Sequence, residues 1–122
     1  MLGVRFELFS SDLDELVEFY TRVLRFELAV DQREEESAYV YLKRGTVRLG
    51  ALAAWEAVDP RLRAVPQGIE IVLEVEDLVA ERDAVLAAGW PLAEDITDRP
   101  WGLTDFRLFD PDGYYLRVTT GG

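Results

Sequence analysis

Polar and apolar residues alternate from residue 3 to residue 9. Val4, Phe6 and Leu8 fall on one side, and Arg5, Glu7 and Phe9 on the other. This predicts a strand with one apolar and one mixed face. Ser11 or Asp12 then offers a helix N-cap, with Asp14 and Glu15 in the first turn. Leu13, Leu16, Val17, Tyr20, Val23 and Leu24 follow at helical spacing and predict an amphipathic helix. Strand-like stretches come next at about 26–31, 37–43 and 46–53, with Arg44-Gly45 as the hairpin turn between the last two. From Trp55 to Gly68 the chain holds Pro60, Pro66 and Gly68. That stretch predicts a linker, with a helical turn near Glu56.

The pattern then starts again. Ile69, Ile71, Leu73 and Val75 share one face, while Glu70, Val72 and Glu74 share the other. Asp77 is placed to cap a helix running to about Ala88, and Gly89 is placed to stop it. Strand-like pieces follow near 92–97, 103–109 and 114–120, the last after an Asp112-Gly113 turn. The halves superpose at an offset of 65 residues: Val4 on Ile69, Phe6 on Ile71, Leu8 on Leu73, Asp12-Leu13 on Asp77-Leu78. Each half reads βαβββ. The expected fold is therefore α+β, a single domain over 1–122. Its modules span about 1–54 and 68–122, joined by linker 55–67. In this reading each helix covers the apolar strand face, and the mixed faces of a curved sheet line a cleft.

Composition narrows the function. The 122 residues include 13 basic and 24 acidic side chains, a formal charge of −11. That balance argues against a nucleic-acid partner, which a basic patch would announce, and either attracts a cationic ligand or simply maintains solubility. Apolar runs are too short and too interrupted to span a bilayer, and MLGVRFELF lacks the features of a signal peptide. A cytoplasmic location is expected. The chain has no histidine and no cysteine, which removes thiol nucleophiles, disulfides, and Ser-His-Asp or Cys-His catalysis. It also has no glycine-rich phosphate loop.

Arg99-Pro100-Trp101-Gly102, Phe106 and Asp110-Pro111-Asp112-Gly113 resemble the vicinal oxygen chelate superfamily, which includes glyoxalase I, extradiol dioxygenases and bleomycin-resistance proteins. So do Ser11-Asp12-Leu13 with Phe19-Tyr20 and Val23-Leu24, and Val75-Glu76-Asp77-Leu78 at the start of the second module. The resemblance covers essentially the whole chain. Arg25 departs from it, standing where many relatives carry glycine. The Pro100-Trp101-Gly102 loop looks most like the antibiotic-binding members. That likeness implies a homodimer that binds a drug without changing it.

Enzymes of this superfamily place His or Glu metal ligands on the first and fourth strands of each module. By resemblance those places fall on Arg5, Glu70 and Arg117, with a fourth somewhere in Leu49-Gly50-Ala51-Leu52. Only Glu70 can ligate, because arginine is a permanent cation with no acceptor. No metal, no other cofactor and no catalytic residue is expected. Arg5, Glu70 and Arg117 would instead form an ion-paired cluster facing the cleft, either holding the modules together or orienting a polar ligand group. Glu70 or Glu74 would meet a ligand amine.

Aromatic contacts are assigned to Trp101 in the loop, to Tyr115 with the parity of Arg117, and to Tyr39 and Tyr41 on the third strand. Trp55 would close one end of the cleft or bury against the linker. Phe106 is expected in the core. The leading expectation is metal-independent binding or sequestration of a small organic ligand, a bleomycin-type or other natural-product antibiotic. The alternative is a metal-independent enzyme of this superfamily (a lyase, isomerase or cyclase) acting on a small metabolite. A third reading is a regulatory or structural module with no small ligand.

Overall fold

The computed structural model describes residues 2–120. The chain divides into two compact units, one ending at Val58 and the other starting at Asp59. The first contains β1 (Phe6–Ser10), α1 (Leu13–Glu18), β2 (Glu27–Gln32), β3 (Tyr39–Arg44) and β4 (Val47–Ala53). The second contains β5 (Glu70–Val75), α2 (Leu78–Ala87), β6 (Glu94–Asp98), β7 (Thr104–Phe109) and β8 (Tyr115–Thr120). The architecture is α+β, and the βαβββ order appears twice. No helix among the described residues is long and apolar enough to cross a membrane.

The strands form two mixed four-stranded sheets, ordered β1-β4-β3-β2 and β5-β8-β7-β6. In each, the first strand runs parallel to the fourth, and the other pairs are antiparallel. Period-2 alternation then fixes the faces. On the first sheet Leu8, Val40, Leu42, Leu49 and Ala51 are buried, as are Leu13, Leu16 and Val17 of α1. On the second sheet Ile71, Leu73, Phe106, Leu108, Leu116 and Val118 are buried, together with Leu78 and Val85 of α2. Phe106 is thus a core residue, as expected.

Both helices begin on an aspartate. Asp12 Oδ1 accepts from the N–H groups of Asp14 (3.0 Å) and Glu15 (3.2 Å), and Asp77 Oδ1 accepts from Ala80 N–H (3.0 Å). The ends differ from a simple helical pattern. After Glu18 the first helix loosens into a π-helical turn, Phe19–Val23. Leu24 N–H reaches back to Phe19 O at 3.2 Å. Phe19, Tyr20, Val23 and Leu24 all stay buried through this wider turn. Arg25 follows with φ 59° and Gly89 follows α2 with φ 81°, both left-handed. The position where Arg25 departs from the family pattern is therefore one that favours glycine.

Several expectations need correction. The apolar face of the first strand does not extend to Val4 or Phe6: the strand starts at Phe6, Val4 is exposed, and Phe6 is only partly covered. Arg48 Nη2 donates to Val4 O at 3.0 Å, so a side chain occupies that carbonyl. Ile69 is likewise exposed, and β5 starts at Glu70. The hairpin turn is Gly45-Thr46 rather than Arg44-Gly45, because Arg44 pairs with Val47 as part of β3. The linker's helical turn lies at Pro60–Leu62, not near Glu56. Asp59 caps it through Arg61 N–H (3.1 Å), and Pro60 supplies the preset φ of a first helical position.

Candidate functional site

Each sheet has a mixed face opposite its helix. On the second sheet this face carries Glu70, Val72 and Glu74 from β5, and Tyr115, Arg117 and Thr119 from β8. Asp105, Arg107 and Phe109 continue it on β7. Glu70 is in register with Tyr115, and Val72 with Arg117. The parallel register therefore sets Glu70 diagonal to Arg117, and Arg117 Nε lies 2.8 Å from Glu70 Oε1. Sequence parity thus identified three residues that the fold does bring together: Glu70, Tyr115 and Arg117.

Arg5 stands in the other unit and has its own carboxylate. Its Nε lies 2.7 Å from Glu7 Oε1, and Tyr39 Oη donates to the same oxygen at 3.3 Å. Burial raises the Tyr39 pKa, and the Glu7 charge raises it further, so the phenol stays protonated as the donor. Tyr41 shares this face and is in register with Gly50. A Cβ on Gly50 would collide with Glu7 Oε2 and Tyr39 Oη, and would lie 2.7 Å from Glu7 Cδ. Glycine at this point is what admits the carboxylate and the phenol together. Glu7 Oε2 is sealed there with no hydrogen-bond partner. Trp55 is not buried against the linker: it is 77% exposed and meets Phe9 edge-to-face at 5.3 Å.

Trp101 is 60% exposed on the turn between β6 and β7. Arg99 N–H donates to Leu103 O (2.7 Å), and Gly102 N–H donates to Arg99 O (3.0 Å). The Arg99 guanidinium folds back onto the sheet, where Nη2 donates to Asp105 Oδ1 at 2.6 Å and Nη1 donates to Glu94 Oε1 at 3.0 Å. Asp105 is fully buried, and Arg107 Nε approaches its Oδ1 from the other side at 3.3 Å. Arg107 Nη1 continues to Tyr115 Oη at 3.2 Å. Burial opposes the Asp105 charge, but hydrogen bonds from Arg99 and Arg107 outweigh it and hold the pKa below its usual value. The same bonds raise the arginines: Arg99 through Asp105 and then Glu94, Arg107 through Tyr115 and then Asp105.

Asp105, Arg107 and Glu7 were missed as site residues. The signal was available in the alternation around Phe106, since a buried Phe106 forces Asp105 and Arg107 onto the mixed face. A separate open groove of about 350 Å³ is lined by Pro60, Arg61, Ala64, Phe109, Asp110, Pro111 and Gly113, and holds none of the expected residues.

The places that superfamily enzymes use for metal do not fit a metal here. The parallel register puts Gly50 where the second unit has Arg117, since Phe6 pairs with Leu49 as Ile71 pairs with Leu116. One fourth-strand place thus has no side chain, and the other holds a guanidinium already on Glu70. Arg5 occupies a third. No group of three or more carboxylates converges among the described residues.

A family model described as the Glyoxalase/Bleomycin resistance protein/Dioxygenase superfamily matches residues 4–118. Comparison with curated proteins gives no match. Among solved structures, a bleomycin resistance determinant encoded on the transposon Tn5 superposes with a TM-score of 0.79 at 23% identity, covering 99% of this chain and 98% of that one. A bleomycin-binding protein complexed with bleomycin gives 0.78 at 23% identity over 100% of both chains. TioX from Micromonospora sp. ML1 gives 0.78 at 21% identity over 98% of both. At these identities the structures speak for the fold, and the family match, which spans nearly the whole sequence, is what shows that the chain belongs to the glyoxalase/bleomycin resistance protein/dioxygenase superfamily.

Proposed function

We propose that this protein binds a small organic molecule, a bleomycin-type or other cationic natural product, and releases it unchanged without using a metal. The observation that carries the reading is the exposed indole of Trp101, held on a bonded turn between β6 and β7, in a unit whose mixed sheet face has all its arginines ion-paired. A flat apolar surface together with ion-paired polar groups suits capture of an aromatic ligand. Carboxylates outnumber arginines on this face: Glu70, Glu74, Glu94 and Asp105 against Arg99, Arg107 and Arg117. That balance, and the overall charge of −11, favours a ligand amine over a ligand carboxylate. One solved relative is described as binding bleomycin, which makes that drug the first compound to try.

Titration calorimetry with bleomycin and other cationic aromatic natural products, followed by mass spectrometry of the recovered ligand, tests the reading. Saturable binding with intact ligand supports it; no heat with any of these compounds defeats it. Trp101→Ala should weaken binding by about tenfold or more while leaving the unfolding transition in place. Unchanged affinity removes Trp101 from the site.

A second reading, a metal-independent lyase, isomerase or cyclase, is favoured by one observation. Glu7 and Tyr39 pair a carboxylate with a phenol at 3.3 Å, the kind of pair that acid–base chemistry uses, although Glu7 Oε2 is sealed from solvent and a substrate would have to open that seal. Recovery of a product instead of the ligand, lost in Glu7→Gln, would decide for it.

A further inference from the structure

We propose that Asp105 is a positioning residue: the relay Glu94–Arg99–Asp105–Arg107–Tyr115, centred on the buried Asp105, fixes the Trp101 turn and the Tyr115 ring in ligand-ready positions before any ligand arrives. The inference rests on the binding reading above and deepens it.

Trp101 is exposed, so the packing of its own ring does not hold the turn in place. What holds the turn is Arg99, two residues away. Its backbone closes the turn at both Leu103 and Gly102, and its side chain donates to both oxygens of Asp105, through Nη2 to Oδ1 (2.6 Å) and Nε to Oδ2 (3.3 Å). The planar guanidinium meets the carboxylate as a fork, which fixes an angle as well as a distance. Arg99 is 12% exposed and Asp105 fully buried, so the pair is shielded from competing water. The turn's other flank is tied down separately. Thr104 Oγ1 donates to Asp98 Oδ1 (2.7 Å), and Thr119 Oγ1 donates to Thr104 O (2.7 Å).

From the far side of Asp105, Arg107 reaches the Tyr115 hydroxyl, and Phe109 meets the Tyr115 ring edge-on at 5.1 Å. One buried carboxylate therefore sets the position of both aromatic candidates on this face. An aromatic contact ordered in advance loses less entropy when ligand binds.

The experiment compares wild type, Asp105→Asn and Arg99→Lys by NMR relaxation in the ligand-free state and by calorimetry with bleomycin. Arg99→Lys keeps the charge but loses the fork, and it serves if the asparagine variant does not fold. In the free variants the backbone order parameters of Trp101 and Gly102 should fall from about 0.85 to below about 0.6, with Leu108 and Leu116 unchanged. Affinity should fall about tenfold.

Order retained in both variants overturns the inference, as does lost order with unchanged affinity. If wild-type protein binds none of the cationic natural products, the functional reading fails. The order parameters then judge the relay without reference to ligand.

Discussion

On the first sheet the residue in register with Glu7 is Gly50; on the second, the residue at the matching place, in register with Val72, is Arg117. The backbone frame is the same, a parallel pair of first and fourth strands, but the chemistry is inverted. With no side chain at Gly50, a carboxylate and a phenol crowd over the strand, and Arg5 reaches Glu7 from beyond the end of β1. With a guanidinium at Arg117, the carboxylate moves to the neighbouring register position, Glu70. The second face also has a deeper layer, the Asp105 relay, with no counterpart among the contacts described on the first. A duplicated module can thus keep its register while changing where the cation stands, ahead of β1 in the first unit and on β8 in the second. Neither arrangement leaves the donor set that a superfamily metal requires.

The sharpest break between the faces should come from Asp105. Asp105→Ala leaves Arg99 and Arg107 facing each other without their shared anion. Both retain some contact with water, so the cost should be about 2 kcal/mol, below the range for a fully sealed pair. Denaturant unfolding measures it; a cost under about 0.5 kcal/mol would mean the relay is ordinary surface pairing.

The pH dependence has a definite sign. The folded pKa of Asp105 lies below its ordinary 3.8, so its contribution is complete above that value and is lost as pH falls through the folded pKa. The stability gap between wild type and Asp105→Asn should therefore be constant near neutrality and close in strong acid.

A second contrast lies at the helix ends. Arg25 and Gly89 each follow a helix C-cap with positive φ, but only the second unit uses glycine. Nothing lies within 4 Å of a Cβ placed on Gly89, so Gly89→Ala isolates the backbone term and should cost about 1 kcal/mol. Arg25→Gly should gain about the same, less whatever the arginine side chain contributes. Thermal melts of the two variants should move in opposite directions; equal shifts would refute a conformational origin.

How far the sequence reached follows from what alternation encodes. Period 2 separates faces, so Glu70, Tyr115, Arg117, Tyr39 and Tyr41 could be assigned to mixed faces from parity alone. It does not say where a strand begins. Val4 and Ile69 keep the parity of their strands yet lie outside them, because a ladder needs a partner as well as a pattern. Nor does it show which cation meets which anion. Arg99 reaches Asp105 because a turn folds back by an angle that no spacing rule contains. The extra residue in the π-helical turn was hidden for a related reason: Phe19 and Tyr20 fit a regular helix well enough by spacing. The 65-residue offset located the first strands, and register then resolved Leu49-Gly50-Ala51-Leu52 to Gly50.

Gly50→Ala tests that resolution directly. The atoms a new Cβ meets, Glu7 Oε2 and Tyr39 Oη, are the free ends of side chains, so they should swing aside without moving backbone. The cost is then the Tyr39–Glu7 hydrogen bond, about 1 kcal/mol. In a Tyr39→Phe background the same substitution should cost less, because the bond is already gone. An unchanged cost in that double-mutant cycle would show that the glycine does not serve the phenol.

The smallest effect belongs to Arg5, and its smallness is informative. Arg5 precedes β1, its side chain is 50% exposed, and its partner Glu7 also holds Tyr39. An ion pair open to water gives little net stability, since the Coulomb attraction is screened and two flexible side chains must be ordered. Arg5→Ala should therefore change the unfolding free energy by less than about 0.5 kcal/mol, against the much larger loss at Asp105. If Arg5 contributes to function, it must do so through ligand. In that case Arg5→Ala should reduce the affinity for a bound natural product while leaving the unfolding midpoint unmoved. A stability loss as large as that of Asp105→Ala would erase the contrast between the two faces and make Arg5 a structural tie like Asp105.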